Sequence, residues 1–293
     1  MYKIIYNKKI SSNSYEMAVI APLVIEKFIP GQFCIVMGKE DSERIPLTIY
    51  DTDKDKGILY LIYQVIGAST LELTTLTDEL FSVSGPLGNP NEICANVKDF
   101  KGKRICYVAG GVGIAPVYPQ VKYLHDLGFK VDVIYGARTV ELLLIRQKIE
   151  KVVNKIRYAT DDGSFGTKGL VTEILEKNID DYDMVVTIGP VIMMKFVVEV
   201  CKKYNKPSIV SMNPLMVDGS GMCGACRCKV DGKVKFACIH GPEFPGDKVD
   251  FDLALKRMNV YKEEETKLYD KMKKELGVDK HEWWKSKRKN SRC

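Results

Sequence analysis

Three cysteines in a short, glycine-rich segment are the residues of this chain best suited to carry chemistry. Cys223, Cys226 and Cys238 follow Asp218 in the order D-x4-C-x2-C-x11-C. This order resembles the plant-type [2Fe-2S] spacing with the first cysteine replaced by aspartate. The intervening glycines let the backbone turn tightly and direct its N–H groups toward sulfur. The segment therefore predicts a [2Fe-2S] cluster bound by Asp218, Cys223, Cys226 and Cys238, and with it one-electron chemistry.

Other interpretations of these cysteines stay open. Cys223, Cys226, Cys228 and Cys238 also match the four thiolates of a structural zinc site. Free cysteines are often buried as small apolar side chains, although several of them in one polar loop fit a core poorly. Cys228 is in addition a reserve iron ligand, in case Asp218 points away from the cluster.

Composition restricts the class of protein. The chain has 293 residues, of which 45% are hydrophobic, enough for two domains and a small module. Nine cysteines without a regular framework favour reduced thiols in the cytoplasm. The first residues lack a basic segment followed by a long apolar one, and no run of about 18 apolar residues occurs, so we expect neither export nor a membrane span. Four of the six net positive charges lie in residues 262–293, where charges of both signs at helical spacing favour a helix. In the same segment, Trp283 and Trp284 suggest docking on another subunit. Nucleic-acid binding is not expected.

The rhythm of apolar residues changes along the chain. Residues 1–98 alternate short β-rich runs with turns, which predicts an antiparallel barrel. Residues 99–212 alternate apolar strands with helices, which predicts a doubly wound parallel sheet of the kind that binds nucleotides. The cysteine module follows at 213–250, and a charged helical tail occupies 251–293.

A glycine-rich turn marks the nucleotide site of the α/β part. It lies between the first strand and its helix, where backbone N–H groups can bind a pyrophosphate. Its candidate contacts are Gly110, Gly111, Gly113, Ile114, Ala115 and Pro116. Later strand ends add candidates for the same crevice, namely Arg138, Thr160, Asp161, Gly189 and Pro190. The sequence does not distinguish NADH from NADPH, since no clear acidic residue follows Tyr135.

Three motifs in this order carry a family resemblance. R-x-P-L-T at residues 44–48, GGVGIAP at 110–116 and FACIHGPEF at 236–244 together resemble the iron–sulfur flavoprotein branch of the ferredoxin–NADP reductase superfamily. The resemblance implies an FAD-binding barrel in which Arg44 contacts the pyrophosphate and Thr48 lies near the redox nitrogen of the flavin. The full set of FAD contacts that it implies is Arg44, Pro46, Leu47, Thr48, Tyr63, Gln64, Gly67, Ser69 and Thr70.

The same resemblance implies a function. The chain would be an electron-transfer subunit that moves electrons between NAD(P)H, FAD and a [2Fe-2S] cluster, and that exchanges them with a larger FAD and iron–sulfur partner. The phrase NPLMVDGSGMCGACR is most similar to electron-bifurcating ferredoxin:NADP oxidoreductases, which would involve ferredoxin indirectly, and to sulfide dehydrogenases. Alternatives are a dihydroorotate dehydrogenase subunit, a stand-alone NAD(P)H:acceptor reductase, and a zinc-binding scaffold. The direction of electron flow and the reduction potentials are not predicted.

Overall fold

The computed structural model of the protein describes residues 1–277. Trp283 and Trp284, for which subunit docking is expected, lie outside the described residues. No helix within residues 1–277 is long and apolar enough to cross a membrane.

The first part of the chain is an antiparallel sheet curled into a near-barrel. Its β-branched and aromatic residues alternate between the two faces of each strand, so one set fills the barrel core. The strands are β1 (Tyr2–Lys9), β2 (Ser14–Ile20), β3 (Phe33–Met37), β4 (Ile45–Asp53), β5 (Ile58–Gln64), β6 (Glu79–Leu80) and β7 (Ser82–Leu87), in the order β6-β1-β2-β5-β4-β3-β7. Helices α1 (Pro22–Glu26) and α2 (Ala68–Leu73) lie on connections.

The second part is the predicted doubly wound sheet. Its parallel strands are β8 (Ile105–Gly110), β9 (Val131–Ala137), β10 (Lys155–Thr160), β11 (Thr167–Lys168), β12 (Met184–Ile188) and β13 (Ser208–Ser211). In the spatial order β11-β10-β9-β8-β12-β13, the chain first adds strands on one side of β8 and then on the other. The switch between the two sides lies between β8 and β12, as in a doubly wound fold. Its helices are α3 (Glu92–Ala95), α4 (Ile114–Asp126), α5 (Arg146–Ile149), α6 (Val171–Asn178) and α7 (Val191–Lys203).

The cysteine module packs on both larger parts. It consists of β14 (Arg227–Val230), β15 (Lys233–Phe236), α8 (Ala237–His240) and β16 (Glu243–Pro245), followed by α9 (Phe251–Arg257) and α10 (Lys262–Glu275). Strand β16 pairs antiparallel with β13 and so extends the parallel sheet, an addition that the sequence did not predict. One buried cluster joins Phe33 and Ile35 of the barrel with Met194 of α7 and with Cys226 and Cys238 of the module.

One predicted helix is broken in the structure. Residues 141–152 have a helical pattern, but they form a short 3-10 turn at Val140–Leu142 and then the single turn α5. The Tyr135 hydroxyl accepts the Leu144 N–H at 2.8 Å and lies 3.3 Å from the Leu142 carbonyl oxygen, and Ile145 adopts a left-handed φ of 48°. A buried tyrosine therefore satisfies the backbone groups that a continuous helix would have paired.

Candidate cofactor and cluster sites

The cysteine loop is folded around the Asp218 carboxylate. Its Oδ1 accepts the Ser220 N–H at 2.8 Å, and its Oδ2 accepts the Cys223 N–H at 2.9 Å. These donors hold the pKa of Asp218 below its usual value, so the carboxylate is charged at neutral pH. Gly219 and Gly221 have φ of 76° and 84°, which side-chain-bearing residues rarely adopt. The glycines thus permit the tight wrap that the sequence predicts.

The three candidate cysteine ligands lie along this wrap. Cys226 and Cys238 are buried with their Sγ atoms 3.2 Å apart, whereas Cys223 is exposed at the rim. Backbone N–H groups already point at sulfur, from Ala225 to Cys223 Sγ and from Cys238 to Cys226 Sγ, each at 3.5 Å. Such N–H···S contacts influence the reduction potential of an iron–sulfur cluster. The donor types and the glycine wrap fit a [2Fe-2S] cluster, and the assignment of Asp218 as the fourth ligand stays a prediction.

Cys228 lies in a different environment from the loop cysteines. It is on β14, buried in the core shared with the barrel, and its thiol lies 3.6 Å from the Lys235 carbonyl oxygen. Burial raises the pKa of this thiol to about 11. The environment suits a packed neutral thiol better than an iron ligand. Among the described residues, no three His, Cys, Asp or Glu side chains are grouped closely enough for a single metal ion.

The strand predicted to contact the flavin divides its side chains between two faces. Pro46 and Thr48 of β4 are half-buried on the outer face, whereas Leu47 between them is only 8% exposed and faces the barrel core. Tyr63 of β5 also points into the core, where its hydroxyl donates to Asn7 Oδ1 at 2.9 Å. A flavin contact from Leu47 or Tyr63 must therefore come from the backbone.

The turn between Gln64 and α2 is the candidate support for the rest of FAD. Gln64 ends β5 half-buried. The Thr70 hydroxyl accepts the Gly67 N–H at 3.1 Å and closes the start of α2, and the Ser69 hydroxyl donates to the Glu43 carboxylate. A side chain at Gly67 would meet open space, so this backbone is accessible to a ligand. FAD contacts by these residues stay a prediction.

The flavin strand and the cysteine loop are in contact. A Cβ at Gly219 would lie 2.8 Å from Ile35 Cδ1, and Ile35 is the cross-strand partner of Pro46. Arg44, which begins the flavin motif, donates from Nε to the Val217 carbonyl oxygen at 3.1 Å. These contacts bring the two candidate cofactor sites to one corner of the protein, although their motifs are far apart in the sequence.

The nucleotide turn is built by close packing of glycines. An added Cβ at Gly113 would collide with the carbonyl group that ends β12, and one at Gly110 would collide with Met193 of α7. Gly111 has a φ of 54° and faces open space. Ile114 and Ala115 are buried, so any ligand contact would come from their backbone, and the Ile114 N–H already donates to the Gly111 carbonyl oxygen within the turn. The packing places the start of α4 at the carboxyl ends of the parallel strands.

The other nucleotide candidates lie at this same edge of the sheet. The Asp161 N–H donates to the Ala137 carbonyl oxygen at 3.2 Å, which places Asp161 beside the exposed Arg138. Burial raises the pKa of Asp161 and Arg138 opposes that change. Gly189 and Pro190 follow β12 next to Gly110. Thr160 is fully buried, and its hydroxyl donates to the Phe165 carbonyl oxygen at 2.8 Å, a structural use that the sequence could not show.

A buried carboxyl group at the junction of the three parts was missed in the sequence. Glu243 of β16 accepts from Asn91 Nδ2 at 2.5 Å and from Gln120 Nε2 at 2.7 Å. Burial raises the pKa of Glu243 to about 7, and the two amide donors partly oppose the rise. The only sequence signal was its place within the FACIHGPEF segment, which gave no hint of burial.

Comparisons with known proteins agree with this architecture. Residues 213–250 match the iron–sulfur cluster binding domain of dihydroorotate dehydrogenase B, and residues 107–199 match the oxidoreductase NAD-binding domain. A dihydroorotate dehydrogenase B electron transfer subunit homolog of Thermotoga maritima is 40% identical over 279 residues, covering 94% of this chain and 96% of the relative. The Clostridium acetobutylicum electron transfer subunit is 34% identical over 251 residues, covering 84% and 95%.

A solved structure is similar over almost the whole chain. A chain of the NADH-dependent reduced ferredoxin–NADP oxidoreductase, described for flavin-based electron bifurcation, has a TM-score of 0.83 at 37% identity and covers 92% of this chain and 97% of its own. The predicted resemblance, fold class and set of cofactors (FAD, a [2Fe-2S] cluster and NAD(H) or NADP(H)) are thereby confirmed, with NADH supported as the nicotinamide substrate. The chain belongs to the family of dihydroorotate dehydrogenase B electron-transfer subunits, iron–sulfur flavoproteins with the fold of ferredoxin–NADP reductase.

Proposed function

We propose that this protein is the NADH-handling subunit of an electron-bifurcating ferredoxin:NADP oxidoreductase in the cytoplasm. In this role it passes electrons between NAD(P)H, FAD and the [2Fe-2S] cluster, and it exchanges them with a larger flavoprotein subunit that contacts ferredoxin. The nicotinamide–flavin pair supplies two-electron chemistry and the cluster supplies one-electron chemistry. The protein contributes binding, orientation and electrostatics.

The contact between the flavin strand and the cysteine loop carries this proposal. Electron transfer between two cofactors requires that they be held close together. Ile35 of β3, the cross-strand partner of Pro46, packs against the loop, and Arg44, just before β4, donates to Val217 of the loop. The shared core of barrel, α7 and module keeps the two sites in a fixed relation. A protein that bound the cysteine cluster for structure alone would have no use for this arrangement.

Each proposed residue set has a physical task. Arg44 would bind the FAD pyrophosphate, and Thr48 would place its hydroxyl at the redox edge of the flavin. The turn at Gly111 and the start of α4 would bind the nicotinamide cofactor's pyrophosphate through backbone N–H groups. Arg138 and Asp161 lie where the adenosine part would reach, at the carboxyl ends of β9 and β10.

An apolar surface beside the cluster loop supports the larger partner. Met222, next to the candidate ligand Cys223, is 89% exposed, and Leu215 is 53% exposed. Val234 and Ile239 of the same module are 63% and 40% exposed. Exposed apolar side chains grouped around a redox centre favour a protein partner that covers them. This surface is where the cluster would exchange its electron.

A dihydroorotate dehydrogenase subunit is the second candidate. The Thermotoga maritima homolog of such a subunit covers 94% of this chain and the solved bifurcating reductase covers 92%, so coverage does not separate the two candidates. The phrase NPLMVDGSGMCGACR, which contains Asp218 and is most similar to the bifurcating reductases, favours them over the second candidate.

Co-expression with the neighbouring genes tests the proposal. The chain is purified anaerobically with whatever subunit co-elutes and is assayed for NADH- and reduced-ferredoxin-dependent formation of NADPH. The proposal predicts that NADPH forms only when both donors are present, and that the Cys226→Ser variant is inactive because the cluster is lost. NAD-dependent oxidation of dihydroorotate would support the second candidate instead. A chain that elutes alone and reduces artificial acceptors would refute both subunit assignments.

A further inference from the structure

One arginine connects the two cofactor sites. Arg44 lies just before β4 and donates to the Val217 carbonyl oxygen at 3.1 Å. Val217 directly precedes Asp218, whose carboxylate accepts the Cys223 N–H at 2.9 Å. A continuous set of contacts therefore runs from the proposed pyrophosphate site to the first cysteine of the cluster loop.

The loop next to Val217 is packed against the barrel and fixed internally. At Gly219, two residues along, a Cβ would be 2.7 Å from Leu87 Cδ1 and 2.8 Å from Ile35 Cδ1. These side chains belong to β7 and β3 of the barrel, so the loop lies directly against the barrel at that point. Asp218 in turn fixes the loop internally through its two backbone hydrogen bonds.

We propose that Arg44 is a positioning residue that couples FAD binding to the reduction potential of the cluster. The proposal rests on the two cofactor sites of the proposed function. A pyrophosphate carries negative charge and competes with a neutral carbonyl for the guanidinium donors, because charge-assisted hydrogen bonds are the stronger ones. When Arg44 turns to the pyrophosphate, the Val217 carbonyl dipole is left uncompensated beside the cluster. The added electron is then less stabilised, and FAD binding lowers the cluster's potential.

Linkage requires the converse effect. If FAD lowers the potential, reduction of the cluster weakens FAD binding by the same factor. A coupling of about fivefold, at the low end of the usual range, corresponds to a shift of about 40 mV for a one-electron centre.

Redox titration of the cluster, followed by EPR, tests the coupling in the full-length chain with FAD bound and after FAD removal. Wild type should show the lower potential with FAD bound. FAD-free Arg44→Ala should already have a potential near that of FAD-loaded wild type, a comparison that does not require the variant to bind FAD. Arg44→Lys keeps the charge but lacks the Nε donor that bonds the Val217 carbonyl, so little is lost there when FAD binds and its FAD-dependent shift should fall below half of the wild-type value.

The matched control is Arg227→Gln. Arg227 Nη1 lies against the same loop, 3.2 Å from where a Cβ of Gly224 would be. Loss of this charge should lower the potential equally in both FAD states and leave their difference unchanged. An FAD-dependent shift that persists in Arg44→Lys would overturn the proposal and assign the shift to the direct field of FAD. A protein without iron or FAD would instead refute the proposed function, so the two failures are distinguishable.

Discussion

The buried carboxyl group of Glu243 makes a quantitative prediction about stability. It connects β16 to Asn91, in the segment that follows the barrel, and to Gln120 of α4 through hydrogen bonds of 2.5 and 2.7 Å. The ionisable groups around it are Glu92, the buried Cys94 and the buried Tyr107. Replacement by glutamine keeps the shape of the side chain and removes its ability to ionise.

The magnitude follows from the pKa shift. Burial raises the pKa of Glu243 from 4.5 to about 7, so between these values the folded protein holds a proton that the unfolded chain has released. Folding stability therefore falls as pH rises through this window, by about 3 kcal/mol in total, and the full penalty is reached at about pH 8. Of this loss in the free energy of unfolding, about 2 kcal/mol falls between pH 5.5 and pH 8.

The site can accept the glutamine. Gln120 Oε1 is buried without a hydrogen-bond partner, so rotating the Gln120 amide would let its oxygen accept from the new side chain. The second amide hydrogen bond, from Asn91 to the glutamine oxygen, is kept. We therefore expect little loss of packing, and the dominant effect should be on pH dependence.

Thermal unfolding of wild type and Glu243→Gln, each with the same cofactor content, measures this effect at pH 5.5 and pH 8. Between pH 5.5 and pH 8, the melting temperature of the wild type should fall by about 4 °C more than that of the variant. Glu26→Gln is the control, since Glu26 is exposed on α1 and does not contribute to the raised pKa of Glu243, so its removal should leave the slope nearly unchanged. If the melting temperatures of wild type and Glu243→Gln changed equally with pH, the raised pKa of Glu243 would be refuted.

Three further predictions concern the packing and the cluster. Gly113→Ala should destabilise the protein by about 3 kcal/mol in urea unfolding, because its Cβ would collide with the carbonyl that ends β12. Gly67→Ala, where a Cβ would meet open space, should be nearly neutral. Equal effects of the two substitutions would contradict the packing argument. Cys226→Ser should lose iron in a metal assay and Cys228→Ser should retain about two irons per chain; the reverse result would reassign the ligand. Tyr269→Ala should lower stability by about 3 kcal/mol, because Tyr269 anchors α10 to the barrel core and is 8% exposed; an unchanged unfolding midpoint would mean that α10 packs only loosely.

The sequence predicted the fold well because local patterns determine it. Alternating residues marked the barrel strands, and GGVGIAP lies where predicted, between β8 and α4. The break before α5 was missed, because it depends on hydrogen bonds to the Tyr135 hydroxyl. Strand β16 was missed because pairing at a sheet edge is decided by tertiary contacts.

The candidate site was predicted less completely. The motif pattern located the cysteine loop and the strand of Arg44, but not the hydrogen bond between Arg44 and Val217, which joins residues far apart in the chain. Motif positions also grouped Leu47 with its neighbours, although strand alternation turns that side chain into the core. Contacts of this kind come from three-dimensional packing, and a single sequence carries no signal for them.

NADH-driven reduction of the cluster, with and without FAD, tests the central claim most directly. Anaerobic protein is mixed with NADH and its EPR spectrum is recorded, first as purified and then after FAD removal, with dithionite as the positive control. The account predicts a [2Fe-2S] signal from NADH only when FAD is present, and a signal from dithionite in both samples. NADH reduction that persists without FAD, or a protein that shows no iron–sulfur signal under dithionite, would contradict it.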